Sequence, residues 1–347
     1  MPHSPPLIKP NQAKSPFFAG VDLGGTSVKL GVVDEQGRSL SRLSIPTLVR
    51  DGPAAAVARI AEALRRGTRE AGLEWSDIAQ VGLGAPGTLD QAQGLLLEPC
   101  NLPGWWGFPI RDRLSEQCGK PVAFGNDASA AAYGEFWVGS GKSFHSMALF
   151  TLGTGVGGGI MIGDLAIDGE NSAGSELGHV IIDYNDSARM CSCGKRGHLE
   201  AYASASSLVR RTEEALASGR SSTLAARVAA GETLTPILIA EEADRSDALA
   251  REIILDTARF LAVGMVTVMH TIDPNGVLVG GAMTFGQHDT NLGRTFLQTI
   301  RAEVRERAFP VLAERITIDY AALGGDAGYI GAAGMARIAH RKRKSPN

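Results

Sequence analysis

Glycine places the tightest constraint on what this chain can fold into. It occurs 43 times in 347 residues, against a usual share of ~7%, and it forms neither a repeat nor a low-complexity tract. The glycines gather at the ends of predicted strands: Gly24 and Gly25; Gly82, Gly84 and Gly87; Gly153, Gly155, Gly157, Gly158 and Gly159; Gly280 and Gly281; Gly324 and Gly325. Backbone that must turn tightly or approach a ligand closely selects glycine. Five such clusters predict several loops converging on one ligand.

Between the clusters, short apolar runs alternate with helical spacing. Residues 17–21 and 28–33 read as a β-hairpin around Asp22-Leu-Gly-Gly-Thr26, with a third strand at 40–45. A helix is predicted at 53–71, with Val57, Ile60, Ala61 and Leu64 on one face and Gly72 as its stop. Strands follow at 78–84 and 122–124, and a helix leaves the second at 128–138. A second glycine hairpin joins 147–152 to 159–162. Helices at 199–217, 249–270, 292–307 and 327–339 and strands at 276–279 and 316–320 complete the pattern. Strands mixed with helices place the chain in the α/β class, and the two glycine hairpins suggest a duplicated unit. Residues 1–16 read as a disordered tail. The basic run Arg341, Lys342, Arg343, Lys344 reads as a solvated, frayed end.

Several function classes are disfavoured by composition. A net charge of −3 gives no attraction for nucleic acid. No apolar run approaches the ~18 residues of a membrane span. The polar, proline-rich start has no apolar core of a secretory signal, so a cytoplasmic, reducing setting is expected. Cys100 and Cys118 stand alone. Cys191 and Cys193 are one residue apart, which in that setting points toward metal.

Asp22-Leu-Gly-Gly-Thr26 has a physical task. Gly24 and Gly25 let main-chain N–H groups and the Thr26 hydroxyl face a phosphate without a Cβ in the way. Asp22 would repel bare phosphate, so its natural partner is Mg²⁺. Lys29 could reach the same anion. The loop Thr151-Leu-Gly-Thr-Gly-Val-Gly-Gly-Gly159 holds five glycines in seven residues, more freedom than a plain hairpin needs. Together they favour a nucleotide clamp. Neither has the Walker pattern or a dinucleotide-fold context.

Those loops, with Gly84-Ala-Pro-Gly87, Asn126-Asp127, Glu176-Leu-Gly-His179, the Cys191/Cys193 cluster and Gly280-Gly281, resemble the ROK family (repressors, open reading frames and kinases). The likeness runs in order from about Phe17 to Ala339. It implies the two-domain actin-like ATPase fold, with a ligand cleft between the domains. Expected boundaries are a small domain at 17–126 plus 326–340 and a large one at 127–325. By the same implication Asp22, Gly24, Gly25 and Thr26 face part of the ATP phosphates, Gly153, Thr154, Gly155 and Gly157 another part, and Gly280-Gly281 the adenosine. A homodimer or larger homo-oligomer is expected.

A hexose needs short polar side chains in fixed directions, because a buried polar group left unpaired costs about 1–3 kcal/mol. Candidate groups are Gly87 and its neighbours, Asn101, Asn126 with Asp127, and Glu176 with His179. Resemblance places all of them around the sugar and adds Glu200. Asp127, at a predicted strand-to-helix junction, suits the general base that takes the proton of the attacking hydroxyl, although a residue there also suits an ordinary N-cap. Asn101-Leu-Pro-Gly-Trp105 and Gly134-Glu-Phe-Trp137 look most similar to the bacterial glucokinases. The implied reaction is ATP-dependent phosphorylation of a hexose at its 6-hydroxyl, glucose first. An N-acetylhexosamine or fructose substrate is the alternative within the family. A sugar-responsive repressor is disfavoured, because only a short polar stretch precedes the first predicted strand.

Cys191-Ser-Cys-Gly-Lys-Arg-Gly-His198, with His179 upstream, offers two Cys and two His, enough to close a tetrahedral structural Zn²⁺ site. The family pattern carries a third cysteine where His198 stands. The replacement keeps a competent ligand and exchanges a charged thiolate for a neutral imidazole.

Overall fold

A computed structural model describes residues 5–99, 101–170 and 172–344. The chain divides into two compact units. The first comprises residues 5–144, 159–175 and 322–344, and the second comprises 145–158 and 176–321. Cys100 and residues 1–4 lie outside the described residues.

The first unit is built on β1 (Phe17–Leu23), β2 (Ser27–Val33), β3 (Ser39–Pro46), β4 (Ile78–Ala85) and β7 (Val122–Asn126), with a small hairpin of β5 (Thr88–Asp90) and β6 (Leu95–Glu98). The main sheet has the order β3-β2-β1-β4-β7. β1, β2 and β3 pair antiparallel, while β4 and β7 continue parallel to β1. Period-2 alternation assigns the faces of β1. Ala19, Val21 and Leu23 join a core with Val57, Ile60 and Leu64 of α1 (Pro53–Glu70) and Ile110 and Leu114 of α2 (Ile110–Cys118). Phe18 turns the other way, to Tyr329, Ile330 and Ala333 of α11 (Ala327–Lys344). α11 lies so close that a Cβ on Gly20 would sit 1.8 Å from the Tyr329 carbonyl oxygen, and one on Gly82 1.8 Å from that of Ala332. Some of the glycine excess therefore serves helix-on-sheet packing and touches no ligand.

α3 (Asp127–Trp137) packs on α11. Its Glu135 is fully buried, and the carboxylate accepts N–H groups of Ser140 (3.0 Å), Ala322 (3.1 Å) and Leu323 (2.7 Å). Burial still holds its pKa above the ordinary carboxylate value. These contacts explain why α3 and residues 322–325 belong to the first unit, where the expected boundaries at 127 and 325 had put them in the second.

Residues 5–16, expected as a disordered tail, are tied down. The Ile8 N–H donates to Ser39 O (2.9 Å), and Lys14 N–H to the buried Asp34 carboxylate (3.1 Å). Arg42 reaches Pro5 O at 2.7 Å, and Arg38 reaches Gln12 O at 2.7 Å. The basic C-terminal run also departs from expectation. It extends α11 to Lys344, with Arg337 and Arg341 paired to Glu35.

The second sheet has the order β10-β9-β8-β11-β12, from β8 (Ser146–Leu152), β9 (Val156–Ile162), β10 (Leu165–Ala166), β11 (Gly276–Gly281) and β12 (Thr317–Tyr320). β8, β11 and β12 run parallel. A hairpin flanked by two parallel strands thus recurs, the duplicated theme read from the sequence. The helices of the second unit are α4 (Glu200–Ala203), α5 (Ala205–Ala217), α6 (Thr223–Ala229), α7 (Pro236–Asp244), α8 (Ala248–Ile272), α9 (Asn291–Arg307) and α10 (Pro310–Arg315). The helix expected at 199–217 is broken by Ser204, whose side chain caps α5 by accepting the Ser207 N–H. α8 is long and apolar enough to cross a membrane, which corrects the expectation that no run approaches that length. Its Ile253, Ile254, Leu261, Met265 and Met269 are instead buried in the core, and it packs against α9, α7, α5 and α4.

Candidate active site

In the first unit the β1–β2 turn carries Gly24, Gly25 and Thr26. Thr47 staples it: its hydroxyl donates to Gly24 O (2.6 Å) and its N–H to Thr26 O (3.0 Å). A Cβ on Gly25 would sit 2.7 Å from Asn101 O, so glycine here admits the loop that carries Asn101. That loop is anchored by the buried Leu102 and Trp105, the latter donating through Nε1 to Val49 O (3.3 Å).

Asp22 lies opposite Lys29 in the hairpin register. Its carboxylate borders the first turn of α11, where a Cβ on Gly328 would sit 2.5 Å from Oδ2. Burial pushes the Asp22 pKa up to about 6, with Lys29 opposing. The Lys29 ammonium itself lies beside Gly325. An acid this deeply set, next to glycine backbone, suits a cation held at a phosphate.

The parallel strands β4 and β7 end side by side, with Gly84 opposite Gly125 and Ala85 opposite Asn126. Asn126 caps α3, its side chain accepting the N–H groups of Ala128 (2.8 Å) and Ser129 (3.2 Å). Its Nδ2 reaches Gly87 O at 3.4 Å, and Gly87 has φ +80°, a conformation that favours glycine. Asp127 is therefore the first helical residue and not the cap. It is half-buried, and the Ala128 N–H also donates to its Oδ1 at 2.8 Å. A Cβ on Gly84 would lie 3.4 Å from its Cα.

In the second unit the loop from Gly153 to Gly155 joins β8 to β9. Gly153 O accepts the Ala205 N–H (2.9 Å), Thr154 O accepts the Ser206 hydroxyl (2.8 Å), and the Val156 N–H donates to the Glu200 carboxylate (3.0 Å). The turn at Glu176 and His179 abuts the same strand, where a Cβ on Gly178 would sit 2.1 Å from Val156 O. Burial holds the Glu176 pKa above its ordinary value, His179 opposing and Glu200 adding to the rise. At the end of β11, Gly281 has φ +91° and pairs with Leu152, the end of β8, so closely that a Cβ would sit 2.3 Å from Leu152 O.

His179, Cys191, Cys193 and His198 each offer a ligand atom, and these atoms all lie within 4.8 Å of one another. The Nδ1 atoms of His179 and His198 are 3.1 Å apart. Cys193 Sγ is 3.2 Å from His198 Nδ1, and Cys191 Sγ is 3.8 Å from His179 Nδ1. Tetrahedral Zn²⁺ with ordinary bond lengths separates its ligand atoms by roughly 3.3–3.8 Å. The other nitrogen of His179 lies 3.9 Å from the Glu176 carboxylate, near it but beyond hydrogen-bond distance. Two imidazoles and two thiols are the donor type that Zn²⁺ takes, with separations that run from 3.1 Å to within 4.8 Å.

The pattern of the ROK family matches residues 18–339. The chain belongs to the ROK family. This ROK chain is 34% identical over 315 residues to a glucokinase of Halalkalibacterium halodurans, which covers 91% of this chain and 93% of the relative. A ROK hexokinase from Thermus thermophilus superposes with a TM-score of 0.78 at 31% identity, covering 94% of this chain and 99% of the other. A ROK family glucokinase from Streptomyces griseus, solved in complex with glucose and AMPPNP, gives 0.73 at 32% identity, covering 93% and 99%. These likenesses bear out the expected α/β, actin-like ATPase fold.

Three residues of this ROK chain that position the site escaped sequence reading. Thr47 is an isolated hydroxyl with no pattern around it, and Ser192 fills the variable position of the Cys-x-Cys pair, where the pattern asks for no particular side chain. Glu135 lies within Gly134-Glu-Phe-Trp137, and its only signal is a carboxylate set between apolar residues late in α3.

Proposed function

We propose that this protein transfers the terminal phosphoryl group of ATP to the 6-hydroxyl of a hexose, with glucose the first candidate. The observation that carries the reading is the junction at the end of β7. Asn126 takes the capping task, and Asp127 follows it as the first residue of α3, beside Gly84 near the end of β4. As general base, Asp127 accepts the proton of the attacking hydroxyl. Asn101, Asn126, Glu176, His179 and Glu200, with the Gly87 backbone, orient the sugar. Gly24, Gly25, Thr26 and Lys29 face one part of the phosphates, Gly153, Thr154, Gly155 and Gly157 another, and Gly280-Gly281 the adenosine.

Asp22 would hold Mg²⁺, which when bound neutralises developing charge on the phosphoryl oxygens. His179, Cys191, Cys193 and His198 would hold a structural Zn²⁺ that pins the loops carrying Glu176 and Glu200. A cytoplasmic setting belongs to the same reading. So does a homo-oligomer, which light scattering would test.

The deciding experiment is a hexose panel in a coupled ADP-release assay. Turnover with glucose well above that with N-acetylhexosamines and fructose supports the reading. Preference for one of those moves it to the alternative within the family, and absence of turnover with all of them overturns it.

A further inference from the structure

The Cys191–His198 loop and the glycine loop after β8 meet on a single carboxylate. Glu200 opens α4, half-buried. Its Oε1 accepts the Ser192 hydroxyl at 2.5 Å and lies 3.5 Å from Cys191 Sγ. Its Oε2 accepts the Val156 N–H at 3.0 Å. The approach depends on Gly155, where a Cβ would sit 2.3 Å from Oε2. The start of the glycine loop is held by residues 205 and 206, and Glu200 holds the end that enters β9.

The two contacts on Oε1 are not equivalent. A cysteine that ligates metal is a thiolate with no proton to donate. With the ligand set engaged, Cys191 therefore cannot support Oε1, whereas the Ser192 hydroxyl, whose oxygen is not one of the four ligand atoms, still can. Hydrogen bonds to an ionised carboxylate are the short, strong ones, and a carboxylate accepting on both oxygens loses the freedom to rotate away.

We propose that Ser192 is a positioning residue that sets the glycine loop through Glu200, so that the conformation of the Cys/His loop is transmitted to the main chain at Val156. The link rests on the phosphate-loop reading above for its functional meaning, but its existence can be read without any activity. Ser192 is not one of the four ligands, and its hydroxyl touches that set at Cys191 Sγ, 3.8 Å away. Its removal should therefore leave the metal set intact.

The test is hydrogen exchange, read by mass spectrometry on a peptide containing residues 153–158, in the full-length protein and in Ser192→Ala and Ser192→Thr. Ser192→Ala should exchange about tenfold faster there, the order expected for one lost charge-assisted hydrogen bond. Ser192→Thr should restore wild-type protection. On zinc-loaded protein, chelation should speed exchange of this peptide in the wild type and add little in Ser192→Ala, because both act through Glu200. The KM for ATP should rise in Ser192→Ala with zinc content unchanged. Unchanged exchange at 153–158 in Ser192→Ala overturns the link even if the enzyme phosphorylates glucose. Faster exchange with no kinase activity keeps the link and removes the function assigned to the loop.

Discussion

Asn126 caps the helix that Asp127 begins. Its Oδ1 accepts two of the first N–H groups of α3, one of which also donates to Asp127 Oδ1, so the capping load is divided in favour of Asn126. Asp127→Asn should lower turnover by about 10²–10⁴-fold, the usual share of general-base catalysis, with native circular dichroism and unchanged melting. Asn126→Ala should instead cost about 1 kcal/mol of stability, read as a lower urea midpoint. If the melting loss appears in Asp127→Asn and not in Asn126→Ala, the division is reversed.

Gly82→Ala should be severely destabilising. The new Cβ would meet the Ala332 carbonyl at 1.8 Å, backbone against backbone, with no flexible side chain to yield. Overpacking of this kind costs about 3 kcal/mol or more. Urea unfolding of the variant, or its failure to accumulate as soluble protein, is the measurement. A shift below about 1 kcal/mol would mean α11 can move off the sheet.

The Asp22 carboxyl sets a pH dependence whose sign is fixed. Its pKa rises on folding from 3.8 to about 6 because burial disfavours the charge, so the folded chain binds its proton more tightly than the unfolded chain does. This group therefore favours folding most below pH ~4, and its contribution falls as pH rises toward about 6. In Mg²⁺-free buffer, the stability of wild type relative to Asp22→Asn should fall across that window and level off above it. A difference independent of pH would show that the carboxyl titrates alike in both states.

Carefully purified protein should contain about one zinc per chain by elemental analysis, following the four-ligand rule. His198→Ala should lose metal and melting temperature together, since metal-binding free energy is folding free energy. His198→Cys should retain the ion, because it replaces imidazole with another competent ligand. Zinc-free protein with wild-type melting would reduce the cluster to two thiols and two imidazoles.

Much of this was legible from the residues themselves. The glycine hairpins, α1 and α8 follow from apolar spacing that no tertiary contact needed to override. The ligand quartet could be read because Cys191, Cys193 and His198 are near in sequence and His179 sits in a turn beside them. α2, α6 and α7 were missed because each is at most nine residues long, too short to show a helical period. The break at Ser204 was hidden because a serine in an alanine-rich run reads as helix until its side chain is seen capping. Residues 5–16 looked disordered because their partners, Asp34, Arg38, Ser39 and Arg42, are polar and distant in sequence. The glycines misled in part. Gly20 and Gly82 signal close approach as the loop glycines do, and sequence does not say whether a helix or a ligand is approaching.

The seat of α11 on that sheet also orders events during translation. The strands β1, β2, β4 and β7 leave the ribosome long before residues 327–344, yet Phe18 and the glycine trough have no cover until those residues arrive. For most of synthesis the unit carries one finished face and one bare face, of the sort that chaperones recognise. Arrival of α11 is thus the step that closes a sheet whose strands were made well before it.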